Sequence, residues 1–113
     1  MLEANKAIVA CWFDEFWNKG NVAIVDDLSA PDVFMYYPLT GELRGRDRLK
    51  QMIRHIHTAF PDASFSLEGD FIAAGNQVVA QWKGMATHKG TFVALPATGK
   101  SATWRGISIF RII

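Results

Sequence analysis

At Pro61 the hydrophobic pattern of this chain changes period, and that change limits the folds open to it. Before Pro61 the apolar side chains recur every three or four residues; beyond it they alternate with polar ones. Helical spacing buries one stripe of a helix, whereas strict alternation buries one face of a strand. Helices first and long strands after read as an α+β domain, with three helices packed on a strongly curved, mostly antiparallel sheet that forms a conical pocket. At 113 residues the chain is expected to make a single domain, residues 1–113, with one core.

From Leu2 to Trp17 the positions Ala4, Ile8, Cys11, Trp12 and Phe16 keep helical spacing. Gly20 stops this helix, and Asn21 can cap a second that runs through Leu28. Ala30-Pro31-Asp32 interrupts, Val33 to Tyr37 reads as a strand ended by Pro38, and Leu39 to Gly45 reads as a polar loop. A third helix, from about Asp47 to Phe60, places Leu49, Met52, Ile53, Ile56 and Phe60 on one face, and Pro61 ends it. Phe65, Leu67, Gly69, Phe71 and Ala73 then alternate with Ser64, Ser66, Glu68 and Asp70. Gly75-Asn76 signals a hairpin, after which Val78, Ala80, Trp82, Gly84, Ala86 and His88 share a face. A turn around Pro96–Gly99 leads into a last strand, Ser101 to Ile113.

The net charge of +1 gives no electrostatic reason to expect nucleic acid or an anionic membrane as partner. The single cysteine, Cys11, leaves no internal disulfide to form and fits a reducing compartment. No signal-peptide pattern is visible, because Glu3, Lys6 and Asp14 interrupt the first apolar residues. No run approaches the roughly twenty apolar residues of a membrane span. A cytoplasmic location is the expectation.

Three segments carry more specific information: Phe60-Pro61-Asp62, Thr87-His88-Lys89-Gly90-Thr91-Phe92 and Leu95-Pro96-Ala97-Thr98-Gly99-Lys100. In this order they resemble the SnoaL-like polyketide cyclases, whose pattern sets FPD after a long helix and then GTHxGxFxGxPPTGK. The resemblance covers nearly the whole chain. It implies the nuclear-transport-factor-two-like fold, a closed pocket, and acid–base chemistry of cyclase or isomerase type on a hydrophobic small molecule, without a cofactor. A non-catalytic binder of an apolar ligand and a dimeric assembly module are the alternatives. In characterised relatives the acid–base aspartate follows an arginine–isoleucine pair in the last strand. Here that pair is Arg111-Ile112, one residue from the end of the sequence, so the family's C-terminal strand segment, with its aspartate, is expected to be missing from these residues.

His88 is the candidate proton carrier, since histidine titrates nearest neutral pH; its other reading is a structural one, holding the loop that follows. Tyr36 and Tyr37 end a strand, and parity with Val33 and Met35 favours Tyr37 as the one facing inward, where its hydroxyl could hold a ligand carbonyl. Trp12, Phe16, Tyr37, Trp82 and Trp104 are the expected pocket lining, with core packing as the alternative for each. His55 and His57, two apart on a helix, point to different sides, and no metal-ligand spacing appears. Val79, Met85 and Ile109 fall on the sheet face opposite the core, which suggests a homodimer.

Overall fold

The structure, a computed structural model, describes residues 2–37, 41–91 and 96–112, with the Tyr37 side chain left out. The element order is α1 (Leu2–Cys11), a π-helical turn (Trp12–Asn18), α2 (Ala23–Leu28), β1 (Phe34–Tyr37), β2 (Gly41–Arg44), α3 (Arg46–Ala59), β3 (Ser64–Ala74), β4 (Gln77–Thr87) and β5 (Ser101–Arg111). The change of period at Pro61 is the boundary between the helical half and the long strands. All pairings are antiparallel, and the sheet is curved but not closed. Among the described residues, no helix is long and apolar enough to cross a membrane.

Three local features depart from the sequence reading. The expected single sheet is two: a β1–β2 hairpin and a β3–β4–β5 meander. Residues 41–44 are a strand and not a loop, because Gly41 to Arg44 pair along the whole of β1. Only Leu43 of that strand is buried, so its polar composition hid it. The first helix also does not continue as α-helix to Trp17. It widens over Trp12–Asn18, where Lys19 N–H reaches back five residues to the Asp14 carbonyl (3.2 Å). The widened turn buries Trp12, Phe13, Phe16 and Trp17 together.

The helices lie on one side of the meander, and the core is the space between them. Leu49, Met52, Ile53, Ile56 and Ala59 form the buried stripe of α3. On β4 the buried positions Val78, Ala80, Gly84 and Ala86 alternate with exposed Gln77, Gln81, Lys83 and Met85. Full burial of residues such as Phe16, Leu49 and Ile53 contributes about 1.5–3 kcal/mol each. The β3–β4 pairing shifts by two residues between Glu68 and Ile72, where Gly69 takes φ 67°. An even shift preserves parity, so Phe65 before it and Phe71 and Ala73 after it all face the core.

Side-chain bonds fix the helices to this frame. The Asn18 amide donates to the Phe65 carbonyl (3.0 Å) and accepts from the Phe65 N–H (2.6 Å), so the π-turn ends on β3 as a strand neighbour would. His57 Nε2 donates to the Trp17 carbonyl (2.8 Å), tying α3 to the same turn. Lys50 bonds Asp26 (2.8 Å) between α3 and α2, which holds the Asp26 carboxyl below its ordinary pKa.

Two tryptophan–glycine pairs shape the inner face of the meander. Trp82 stands opposite Gly106, and Gly84 opposite Trp104. Each indole lies over the glycine across from it. A Cβ on Gly106 would come within 2.8 Å of Trp82 Cε2, and one on Gly84 within 2.9 Å of Trp104 Cε2. The Trp82 indole N–H completes the arrangement by donating to Ser108 Oγ (3.0 Å). Gly106→Ala should therefore push Trp82 off its partner and cost about 1–3 kcal/mol, as overpacking does. Urea unfolding followed by tryptophan fluorescence measures this; an unchanged midpoint would show that the indole has room to move.

Candidate functional site

The segments 59–62, 87–90 and 98–101 meet where β4 ends, and backbone bonding explains why. Asp62 accepts the Thr87 N–H on one carboxylate oxygen and the Thr87 hydroxyl on the other, each at 2.7 Å. With its proton given to Asp62, the Thr87 oxygen accepts from Ser101 Oγ (2.9 Å) at the start of β5. Lys89 and Gly90 N–H both donate to the Ala59 carbonyl, at 2.8 and 3.0 Å. That carbonyl lies in the last turn of α3, where helix acceptors need partners from outside. The approach requires glycine, since a Cβ at residue 90 would stand 2.7 Å from the Thr58 carbonyl oxygen. Beyond β4 the ladder goes one step further: His88 N–H donates to the Lys100 carbonyl (2.9 Å), and Gly99 N–H to the His88 carbonyl (2.8 Å).

His88 thus has a backbone fixed from both sides and a side chain only 8% exposed. Its Nδ1 meets Thr98 Oγ1 at 3.2 Å. Thr98 Oγ1 also accepts the Lys100 N–H (3.3 Å), so one hydroxyl ties the His88 ring to the backbone just before β5. The ring packs against Phe60, centroids 5.2 Å apart. Buried Nε2 has no hydrogen-bond partner among the described residues, which is uncommon for an interior polar atom.

His88 borders a cavity of about 440 Å³, within the roughly 300–1,000 Å³ of pockets that hold small organic ligands. Ile56 of α3, Phe60 just past it and Ala63 form one side. Phe65 of β3, Ala86 of β4, and Ala102 and Trp104 of β5 form the other. Thr98 and Lys100 stand with His88 as its polar residues. Phe65 is the pivot of the aromatic wall, meeting Trp82 and Trp104 edge-on at 5.7 and 6.0 Å.

Of the residues expected from sequence at a pocket, His88 and Trp104 come together here. Trp12 and Phe16 stack 4.2 Å apart in the helical core, and neither lines this cavity. Buried Trp12 Nε1 also has no partner among the described residues. Trp82 lies one step behind, touching the cavity wall through Phe65. Tyr36 points to solvent; the Tyr37 side chain lies outside the described residues, as does Ile113. Thr98 and Lys100 were part of the recognised motif but had no assigned role. Their position beside His88 follows from the β4–β5 register, which residue spacing alone does not fix.

The Asp62 carboxyl sits below its ordinary pKa of 3.8, chiefly because the Thr87 N–H and hydroxyl bond its charged form. A depressed folded-state value means that this bonding stabilises the fold above pH 3.8 and is lost as pH falls from there through the folded value. Asp62→Asn should be less stable than wild type near pH 7, and the gap should close as pH drops below 4. Urea midpoints measured across this range give the answer; a gap that stays constant with pH would contradict it.

Sequence and structure comparisons bear on the whole chain. The family model for SnoaL-like polyketide cyclase matches residues 7–113. No curated protein matches the chain. Among solved structures, a protein described as a polyketide cyclase from Acidithiobacillus ferrooxidans is 30% identical with a TM-score of 0.78, covering 96% of this chain and 79% of that one. One from Jannaschia sp. CCS1, described as a SnoaL-like polyketide cyclase, superposes with a TM-score of 0.87 at 19% identity, over 96% of this chain and 76% of its own. IdmH of Streptomyces antibioticus, also described as a polyketide cyclase, gives a TM-score of 0.80 at 20% identity, over 96% and 83%. With the family model matching nearly the whole length, and FPD, THKG and PATGK bonded into one assembly around a cavity, the chain belongs to the SnoaL-like polyketide cyclase family.

Proposed function

We propose that this protein binds an apolar, ring-bearing small molecule in the His88 cavity and uses His88 as its proton carrier, in chemistry of cyclase or isomerase type. The observation that carries the reading is His88 itself: a buried imidazole, held by Thr98 at Nδ1, with Nε2 lacking a partner among the described residues. A merely structural histidine ordinarily has both nitrogens satisfied. Beside an aromatic wall, the imidazolium form of His88 can give its Nε2 proton to an enolate or carbonyl oxygen, and the neutral ring that remains can take one back at Nε2. The family and the solved relatives named as polyketide cyclases support this class of substrate.

Two variants test binding and proton transfer separately. Ala102 is an exposed wall residue, so Ala102→Trp should keep the fold while weakening the binding of 2-naphthylmethanol at least tenfold. His88→Gln should retain folding and that binding, but abolish conversion of any polyketide substrate the wild type turns over. If His88→Gln retains turnover, another group carries the proton. If Ala102→Trp binds the probe as well as wild type, the ligand sits elsewhere.

A second reading concerns assembly and rests on the outer face of the meander. Ile72, Ile107 and Ile109 are 62–68% exposed there, and Ile109 pairs with Val79, which pairs with Ile72. Contiguous isoleucines on an otherwise polar surface favour a homodimer through this face. Sedimentation at micromolar concentration should show a dimer that Ile109→Lys converts to monomer; a wild-type monomer contradicts it.

A further inference from the structure

We propose that the His88 cavity selects an anionic ligand, an aromatic carboxylate, with its acidic group at Lys100. The proposal rests on the cavity being the ligand site and adds the charge of what it takes. A count of donors and acceptors carries it. Among the residues lining the cavity, the polar side chains are Thr98, His88 and Lys100, and no carboxylate is among them. The Thr98 hydroxyl is engaged, receiving the Lys100 N–H and hydrogen-bonded with His88 Nδ1. What remains is His88 Nε2 and the Lys100 ammonium, the first without a hydrogen-bond partner and the second without an ion-pair partner among the described residues. The ammonium is a donor only.

The nearby acidic groups are engaged elsewhere. Asp62 is bound by Thr87, and Glu68 pairs with Arg105 (3.0 Å) on the sheet face away from the core. A cavity whose polar side carries a cation and no carboxylate matches a ligand that brings acceptors and a negative charge. Trp104, Phe60 and Phe65 supply flat apolar surface for the ring. The carboxylate of an aromatic acid would then lie at the rim, its ring inward.

Three probes that share one ring system separate charge from apolar burial: 2-naphthoate, 2-naphthylmethanol and 2-naphthylmethylammonium. Titration calorimetry with the full chain should rank the acid first and the ammonium last. Lys100→Met, an exposed residue whose backbone bonds are kept, should weaken 2-naphthoate about tenfold, the loss of one charge-assisted contact, and leave 2-naphthylmethanol unchanged. Added salt should reduce the wild type's preference for the acid. Equal affinities for acid and alcohol, or no effect of Lys100→Met on the acid, overturn the anionic preference while the cavity reading stands. No binding of any of the three overturns both.

Discussion

The contact on which the site depends is the bond between Asp62 and Thr87. Asp62 ends the turn that follows α3, and Thr87 is the last residue of β4. By accepting both the N–H and the hydroxyl of Thr87, one carboxylate holds the end of a helix against the end of a strand. The Ala59 carbonyl then takes the N–H groups of Lys89 and Gly90, and Ser101 joins through the Thr87 hydroxyl. Only with this corner closed does the chain carry His88 to a fixed place between α3 and the sheet. An acid pH that protonates Asp62 removes the bonding of its charged form and loosens this corner.

The wall opposite α3 depends on a different economy of space. Each tryptophan of the Trp82–Gly106 and Gly84–Trp104 pairs uses the room its facing glycine leaves. The indoles can therefore lie along the sheet and not stand up from it, and a flat aromatic surface is left under the cavity. Phe65, held at its backbone by Asn18, locks this surface to the π-turn. Rigid aromatic walls with a few placed donors are what a small-molecule site needs to select by shape and by charge together.

Much of this was legible in the sequence, for identifiable reasons. The period change at Pro61, the Gly75-Asn76 hairpin and the buried face of β4 are short-range patterns, and they correspond to the elements found. The motif FPD–THKG–PATGK marked the residues that bond together, although not how they do so. What stayed hidden was non-local or masked by composition. β2 carries a single buried side chain, Leu43, and exists through its pairing with β1. The π-turn depends on where backbone bonds close, which helical spacing of Trp12 and Phe16 does not distinguish from an α-helix. Thr98 and Lys100 reach His88 across ten and twelve residues of chain, through a register that the strands set.

The account stands on one side chain, His88, at the edge of one cavity. The most direct measurement is nitrogen-15 NMR of the His88 imidazole at neutral pH, before and after addition of 2-naphthoate. The structure leads us to expect a hydrogen-bonded Nδ1, and an Nε2 without a partner among the described residues, in the free protein. Ligand should then shift Nε2, the Trp104 indole and the Ala86 and Ala102 amides, and leave Ile72, Ile107 and Ile109 unmoved. An Nδ1 free of any hydrogen bond, or ligand shifts confined to the outer isoleucines, would contradict it.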